Sequence, residues 1–201
     1  MNNTGVIILA AGSSSRFGNA KQLLQFKGKT LLKHTIEAAV EAGAQLIVVV
    51  TGAQANEVSK EIKRENVETV FNENWQQGIA SGIVIGVKTA IALNKDVEKL
   101  IIAVCDQPFV SSAVFQQLFQ KQRNSSKHIV ASTYADTIGT PALFTEKYFT
   151  ALMSLTGDHG AKRLFETYRD DLATVDFPDG YIDIDTREDY ENLLKGMKAH
   201  D

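Results

Sequence analysis

The segment Gly12–Lys21 carries residue types that bind phosphate groups, and it directly follows the apolar run Val6–Ala11. It contains two glycines, three consecutive serines, Arg16 and Lys21. Glycine permits backbone conformations closed to other residues, serine and backbone N–H groups donate hydrogen bonds, and the two cations attract anions. A triphosphate is a ligand that suits this combination. An ordinary glycine-serine turn is the alternative, but a loop after the first strand of an α/β sheet favours the phosphate site.

Asp106 is the first candidate for a carboxylate that brings a metal ion to those phosphates. It follows the apolar run Leu100–Cys105, and Pro108 holds Gln107 extended, so the carboxylate is expected to face the loop. Mg²⁺ prefers such oxygen ligands and completes its coordination with water and substrate phosphates. The alternative is that Asp106 starts a turn and caps the next helix. Ser111 is closer to that helix and is the better cap.

Asp183 and Asp185 are the candidates for a second metal ligand. They alternate on one side of a short extended segment before the last predicted helix. Asp185 equally fits the N-cap of that helix, because Glu188 stands three residues later, as in a capping box. The local sequence leaves both interpretations open.

An alternation of short β-branched runs with segments of helical period predicts the scaffold for these residues. The pattern is typical of βα units that form a mostly parallel sheet, here with helices on both faces. The predicted strands are Val6–Leu9, Leu46–Thr51, Glu68–Phe71, Leu100–Val104 and Ile129–Ser132. The predicted helices are Thr30–Ala42, Ala55–Arg64, Ser81–Ala92, Ser112–Gln122, Ala161–Tyr168 and Arg187–Lys195. Ligands of such sheets bind beyond the carboxyl ends of the strands. The prediction is a three-layer α/β/α, Rossmann-like fold.

Composition and length exclude several classes of protein. The 201 residues are 44% hydrophobic, and no linker divides them, so residues 1–201 are predicted to form one folded domain. A net charge of -3 argues against a general nucleic-acid binder, and no apolar run is long enough to span a membrane. A single cysteine excludes a disulfide scaffold and favours a cytoplasmic location. Neither a dinucleotide fingerprint nor a Walker A motif occurs.

The motifs of the chain resemble those of nucleotidyltransferases with a Rossmann-like fold, and most closely the molybdenum cofactor cytidylyltransferases. Residues 9–22 match the signature Leu-Ala-Ala-Gly-x-Ser-x-Arg-Phe-Gly-x-x-Lys-Gln. Further matches follow in the family's order at Asn74–Ser81, Asp106–Pro108, Gly139–Phe144, Gly157–Lys162 and Asp183–Asp189. The resemblance implies transfer of a nucleoside monophosphate to the phosphate of molybdopterin. The nucleotide expected first is CMP, transferred from CTP. The resemblance also implies release of pyrophosphate and Mg²⁺ as the cofactor.

The resemblance further implies roles for individual residues. Those implied in catalysis are Arg16, Lys21 and Asp106, and those implied in metal binding are Asp106 and Asp185. Those implied in nucleotide binding are Leu9, Ala10, Ala11, Gly12, Ser13, Ser14, Arg16, Gly18, Lys21, Gly78, Ala80 and Ser81. Those implied in acceptor binding are Gly139, Pro141, Asp158 and Lys162. The expected partners are small-molecule substrates and a molybdenum hydroxylase or its maturation factor, with neither nucleic acid nor membrane.

Four positions bear on how far the resemblance extends. Ala11 matches the cytidylyltransferases, whereas related guanylyltransferases usually have a second glycine there, which favours CTP over GTP. Ile138 replaces an expected polar residue, so methylerythritol phosphate or a sugar 1-phosphate stays open as the acceptor. Arg187 replaces a common proline that only helps to start a helix. Asp158 also fits a helix N-cap. A maturation factor that binds nucleotide or cofactor without chemistry is the alternative from another class.

Overall fold

The computed structural model describes residues 3–12, 17, 20–62 and 67–198. The strands in this part of the chain are β1 (Thr4–Ala10), β2 (Gln25–Phe26), β3 (Lys29–Thr30), β4 (Leu46–Thr51), β5 (Val67–Phe71), β6 (Lys99–Val104), β7 (Ile129–Tyr134), β8 (Thr137–Thr145) and β9 (Leu172–Asp176). The helices are α1 (Leu31–Glu41), α2 (Ala55–Glu61), α3 (Ile79–Leu93), α4 (Ser112–Asn124), α5 (Phe149–Met153), α6 (Lys162–Thr167) and α7 (Arg187–Lys198). Short 3-10 turns lie at Lys21–Leu23, Trp75–Gln77, Glu146–Tyr148, Arg169–Asp171 and Pro178–Tyr181.

A seven-stranded sheet in the order β5-β4-β1-β6-β8-β7-β9 forms the middle layer. Strands β5, β4, β1 and β6 are parallel, and β9 is parallel to β7. Strand β8 runs antiparallel to both of its neighbours, and β2 and β3 form a separate antiparallel pair. The predicted mostly parallel α/β fold is confirmed.

Strand β8 is the main element that the sequence pattern does not predict. Gly139 and Pro141 interrupt its apolar run, and both residue types are unusual inside a strand. The sheet accommodates them at an irregularity, where the register with β7 jumps from Ala142 to Gly139 and leaves Thr140 and Pro141 without paired residues. The Ser132 hydroxyl of β7 donates to the Pro141 carbonyl oxygen at 2.8 Å and closes the gap.

Side chains of the central strand β1 alternate between two apolar layers. All seven of its residues are buried, as its unbroken apolar run predicts. Val6 and Ile8 pack in the layer that contains α1 and α4, and Ile7 and Leu9 pack in the layer that contains α3, α5 and α6. Helix α3 approaches closely at Gly86, where a Cβ would lie 2.6 Å from Ile7 Cγ2. Two hydrophobic layers therefore hold the carboxyl ends of the parallel strands at one edge.

The predicted helices are present, with ends that differ by a few residues. Helix α3 begins at Ile79, two residues before its predicted start. Thr30 precedes α1 as its N-cap, because its hydroxyl oxygen accepts from the Lys33 backbone N–H at 3.2 Å. Helix α2 ends at Glu61, and its predicted end at Arg64 lies outside the described residues. Within those residues, none of the helices has the length and apolar character needed to cross a membrane.

Candidate active site

The backbone that leaves β1 is held in place by a buried glutamine. Gln22 lies in the 3-10 turn after the predicted phosphate loop, and only 1% of it is exposed. Its Nε2 donates to the carbonyl oxygens of Ala10 at 2.9 Å and Gly12 at 3.1 Å. Gly52, after β4, packs against Ala11 so closely that a Cβ there would lie 2.5 Å from the Ala11 carbonyl oxygen. The segment is therefore fixed before the loop begins.

The middle of the predicted phosphate loop lies outside the described residues. This applies to Ser13, Ser14, Arg16 and Gly18, whose roles in nucleotide binding and catalysis stay predictions. Gly12 at the start of the loop and Lys21 at its end are described.

Lys21 joins the two carboxylates that the resemblance assigns to a metal. Its Nζ donates to Asp106 Oδ2 at 2.7 Å and to Asp185 Oδ1 at 2.8 Å. The Lys21 side chain is 14% exposed, Asp106 21% and Asp185 51%. Burial acts to lower the pKa of Lys21, but the charges and hydrogen bonds of both carboxylates outweigh it and raise the pKa. The lysine is therefore a cation throughout the neutral range.

The segment that carries Asp183 and Asp185 is tied to the backbone of Asp106. The Ile184 N–H donates to the Asp106 carbonyl oxygen at 3.0 Å, and the Ile184 side chain is fully buried. Burial raises the pKa of Asp183, and the charges of Asp185 and Asp106 raise it further. Both predicted carboxylates therefore flank a buried isoleucine and lie close to Asp106.

Asp185 is not the cap of α7, and that alternative interpretation is wrong. The cap is Thr186, whose hydroxyl oxygen accepts from the Asp189 N–H at 3.2 Å. In return, Asp189 Oδ2 accepts from the Thr186 N–H at 2.7 Å. The capping box therefore pairs Thr186 with Asp189 rather than Asp185 with Glu188. Asp185 is left to interact with Lys21.

The carboxylates fit a hard divalent cation. Asp106 and Asp185 already share one cationic group, the Lys21 ammonium, and Asp183 adds negative charge beside them. Carboxylate oxygens are the protein ligands that Mg²⁺ and Mn²⁺ prefer. Among the described residues, no cluster of three or more acidic, histidine or cysteine side chains is arranged to hold a metal by itself. Water and substrate phosphates are therefore the remaining ligands expected.

A cleft of about 380 Å³ opens beside these carboxylates. The predicted site residues that line it are Leu9, Ala11, Gly12, Lys21, Gly78, Asp106 and Asp158. Residues without a predicted role complete the lining, namely Gln22, Asn72, Trp75, Gln76, Ile79, Gly82, Val104 and Cys105. Burial raises the pKa of the Cys105 thiol, so it is protonated at neutral pH. A cleft of this size with few charged groups suits a small ligand such as a nucleotide.

Three residues predicted to bind the nucleotide stand behind the wall of this cleft. Ala10 and Ala80 are buried. The Ser81 hydroxyl lies 2.8 Å from the Gly78 carbonyl oxygen and accepts from Asn72 Nδ2 at 2.8 Å. Ser81 lines a second cavity of about 510 Å³, which shares Asn72 with the cleft. In this conformation Ser81 therefore shapes the cleft wall, and its predicted contact with a nucleotide stays a prediction.

The residues predicted to bind the acceptor are dispersed. Gly139 packs under the Tyr134 hydroxyl, Pro141 is buried in β8, and Lys162 is exposed at the first turn of α6. Asp158 alone among them lines the cleft. It does not cap α6, as the local sequence also allowed, because that helix follows the cap residue Ala161.

The loop that carries Asp158 is pressed against the start of α3. The Ala80 N–H donates to the Gly157 carbonyl oxygen at 3.2 Å. Gly78 has a φ of 99°, and a Cβ there would lie 2.1 Å from Asp158 Oδ1. Only glycine therefore permits both the turn and the close approach of the Asp158 carboxylate to the cleft.

Sequence reasoning did not assign roles to Gln22, Asn72 and Gln107. All three are polar side chains with at most 4% exposure, and each bonds a neighbouring part of the site. Gln22 and Gln107 stand directly after Lys21 and Asp106 in the matched motifs, which was the available signal. The motifs do not show that these glutamines are buried, and it is their burial that gives them a structural role.

Comparison with known proteins gives similarity over most of the chain. The model of the MobA-like NTP transferase domain matches residues 6–172. Nicotine blue oxidoreductase of Paenarthrobacter nicotinovorans is 28% identical over 200 residues, covering 95% of this chain and 96% of that protein. A probable molybdenum cofactor guanylyltransferase of Bacillus mycoides (strain KBAB4) is 29% identical over 130 residues, covering 65% of this chain and 62% of that protein. This chain spans 36% or less of six longer relatives.

Solved structures agree with the sequence comparison. Rv0371c from Mycobacterium tuberculosis H37Rv has a TM-score of 0.81 at 27% identity, covering 96% of this chain and 98% of that one. Its complex with manganese has a TM-score of 0.76 at 26% identity, covering 96% of this chain and 99% of that one. These structures share the α/β fold of the chain, and the family model places the chain among the nucleotidyltransferases. Within that class, the chain belongs to the MobA-like NTP transferase family.

Proposed function

We propose that this chain transfers CMP from CTP to the terminal phosphate of molybdopterin and releases pyrophosphate. The observation that carries the proposal is the Lys21 ammonium between Asp106 and Asp185, at the edge of a cleft that also contains Ala11 and Gly12. Membership of the MobA-like family supports nucleotidyl transfer. The proposed recipient of the product is a molybdenum hydroxylase or its maturation factor.

The proposed reaction is a displacement at the α-phosphorus of CTP. An oxygen of the acceptor phosphate forms a new bond to this phosphorus, while the bond to the bridging oxygen on the opposite side breaks. That oxygen leaves as part of pyrophosphate. The acceptor phosphate is already ionised at neutral pH, so the protein needs to position the reactants and neutralise charge rather than supply a general base.

Lys21 stabilises the negative charge on the α-phosphate and on the departing pyrophosphate, because its raised pKa keeps it cationic. Asp106 and Asp185 are the candidate metal ligands, and a divalent cation, Mg²⁺ in this proposal, supplies further charge neutralisation when bound. The manganese complex of a similar protein supports a divalent metal. Arg16 is proposed as a second cation on the strength of the matched motif alone.

The methyl group of Ala11 favours CTP over GTP. Ala11 lines the cleft, and a Cβ added at Gly52 would lie 2.9 Å from the Ala11 Cβ, so the backbones are already in close contact. The backbone at Ala11 therefore cannot move toward Gly52 to make room for a larger purine base. Replacing Ala11 by glycine is expected to raise the use of GTP relative to CTP.

A second candidate function is oxidoreductase activity. The similarity to nicotine blue oxidoreductase, which covers 95% of this chain, favours it. In that case the cleft would bind a reduced nicotinamide nucleotide instead of CTP. The chain lacks the dinucleotide fingerprint of the usual oxidoreductase fold, so nucleotidyl transfer remains the better-supported proposal. Within nucleotidyl transfer, Ile138 keeps methylerythritol phosphate or a sugar 1-phosphate as alternative acceptors.

The experiment follows pyrophosphate release by the purified protein with Mg²⁺, one of CTP, GTP or ATP, and one acceptor phosphate. Release only with CTP and molybdopterin is the expected result. Release with methylerythritol phosphate or a sugar 1-phosphate supports the alternative acceptor. No release with any pair contradicts nucleotidyl transfer. Oxidation of NADH or NADPH by the same preparation, coupled to reduction of an added dye that accepts two electrons, supports the oxidoreductase.

Variants connect the activity to the site. Asp106→Ala and Lys21→Ala are each expected to lower turnover by about 100-fold or more, as removal of a charge-stabilising group typically does. Lys147→Ala is the matched control, because Lys147 also pairs with an aspartate, Asp171, at 2.6 Å, but away from the cleft. Normal turnover by folded Asp106→Ala or Lys21→Ala would show that the carboxylate and the cation are not the catalytic groups.

A further inference from the structure

We infer that Gln107 is a positioning residue, which fixes the segment carrying Asp183 and Asp185 relative to Asp106. The inference rests on the proposed role of these carboxylates in binding a divalent cation. It is independent of which nucleotide or acceptor the chain uses. Gln107 itself would touch neither the metal nor the substrate.

The first observation is a pair of bonds between two short segments. Gln107 Nε2 donates to the Gly180 carbonyl oxygen at 2.7 Å, and the Gln107 side chain is 4% exposed. The Ile184 N–H donates to the carbonyl oxygen of Asp106 at 3.0 Å. Consecutive residues after β6 therefore hold the 180–184 segment at both of its ends. Two attachment points prevent rotation about either one, which keeps Asp183 and Asp185 oriented toward Asp106.

Close packing around Gly180 leaves the turn little freedom to shift. A Cβ at residue 180 would lie 2.4 Å from Tyr134 Cδ1 and 2.5 Å from Phe177 Cδ1. These two rings meet edge to face, with 6.1 Å between their centroids. The turn is thus held by aromatic contacts on its backbone as well as by the Gln107 amide.

The second polar atom of Gln107 indicates that the residue does more than stabilise the fold. Gln107 Oε1 is buried, and no donor within the described ranges reaches it. The Gln107 side chain also forms a hydrogen bond with Tyr134, which acts against the burial that raises the pKa of that phenol. A buried acceptor without a partner is unfavourable, so the gain from the bond to Gly180 is largely offset. Leucine, which is similar in size, would avoid this cost but could not hold the Gly180 carbonyl. The amide is therefore explained better by its effect on the position of the carboxylate-bearing segment than by a contribution to the free energy of folding.

Gln122 of α4 provides a matched control for the same chemical change. Its Nε2 donates to the Lys127 carbonyl oxygen at 3.5 Å, and its Oε1 is also buried without a donor in the described part of the chain. Gln122 lies near the C-terminal end of α4 and does not line the cleft beside the carboxylates. Replacement of either glutamine by leucine removes the same groups, but only Gln107 contacts the carboxylate-bearing segment.

The test measures Mn²⁺ binding without nucleotide, from the electron paramagnetic resonance signal of the free ion. It uses the wild type, Gln107→Leu, Gln107→Asn and Gln122→Leu, with thermal unfolding in chelator as the measure of folding. Asparagine keeps an amide but is too short to reach Gly180. Both Gln107 variants are expected to bind Mn²⁺ about tenfold more weakly or worse, as changes to residues behind metal ligands typically do. Gln122→Leu is expected to bind normally, and its unfolding temperature should shift as little as that of Gln107→Leu.

Unchanged Mn²⁺ affinity in the Gln107 variants, or an equal loss in Gln122→Leu, would overturn the inference. If Gln107→Leu does not fold, the result for Gln107→Asn decides. A wild type that binds no Mn²⁺ would overturn the inference together with the metal assignment. A wild type that binds Mn²⁺ but releases no pyrophosphate would remove the proposed reaction alone and leave the role of Gln107 intact.

Discussion

The Lys21→Met variant separates the charge of Lys21 from its bulk, because methionine keeps an unbranched side chain of similar length. The substitution removes the hydrogen bonds to Asp106 at 2.7 Å and to Asp185 at 2.8 Å. Asp185 is 51% exposed, so solvent screens its interaction and it contributes little. The bond to Asp106, between side chains 14% and 21% exposed, dominates. We expect the free energy of unfolding to fall by about 2 kcal/mol, within the range for hydrogen bonds to charged groups.

The contribution of Lys21 should depend on pH in a defined direction. Its pKa is raised in the folded protein, so its contribution is complete below the ordinary lysine value of 10.5 and is lost as pH rises above it. The stability difference between wild type and Lys21→Met should therefore be constant through the neutral range.

Urea unfolding in chelator and in Mn²⁺ provides the assay. Because a divalent cation can take the place of the ammonium between the two carboxylates, Mn²⁺ should stabilise Lys21→Met more than it stabilises the wild type. Lys147→Met is the control, since its pair with Asp171 is partly exposed; it should lose about 1 kcal/mol or less and gain nothing from Mn²⁺. Full stability of Lys21→Met in chelator, or an equal Mn²⁺ response in all three proteins, would refute the reasoning.

Two further predictions concern the loop over the cleft and the stability in acid. Gly78→Ala should destabilise the protein more than Gly28→Ala in thermal unfolding. Both glycines have positive φ, 99° and 78°, but only at residue 78 would a Cβ meet an atom, Asp158 Oδ1 at 2.1 Å; equal losses would contradict this packing. Burial acts to raise the pKa of Asp171, but hydrogen bonds, including one from Lys147, lower it from 3.8 to about 2. The stabilising effect of ionised Asp171 should therefore be complete above pH 3.8 and be lost as the pH falls through about 2. Urea unfolding at a series of acid pH values should show this loss of stability in the wild type but not in Asp171→Asn. The same acid profile in both proteins would exclude Asp171 as its source.

The elements predicted best from sequence are those whose local pattern reflects burial on both sides. Strands β1, β4 and β6 are apolar runs between two helical layers, so their sequence alone reveals them. Strand β8 is not predicted from the sequence, because Gly139 and Pro141 are tolerated only at its irregular pairing with β7, which is a tertiary feature. Strands β2 and β3 and helix α5 are too short to show a period.

The sequence by itself determined the class of fold and the segment that leads into the predicted phosphate loop, and its motifs predicted Lys21, Asp106 and Asp185 as members of one site. These follow from local pattern and from motifs, which a single chain displays directly. Only the tertiary structure decided that Asp185 faces Lys21, 164 positions away, while Thr186 caps the helix. The two roles of a carboxylate before a helix look alike in sequence. Whether Asp185 caps the helix or pairs with a cation depends on the packing of the strands, which brings Lys21 to the same edge of the sheet.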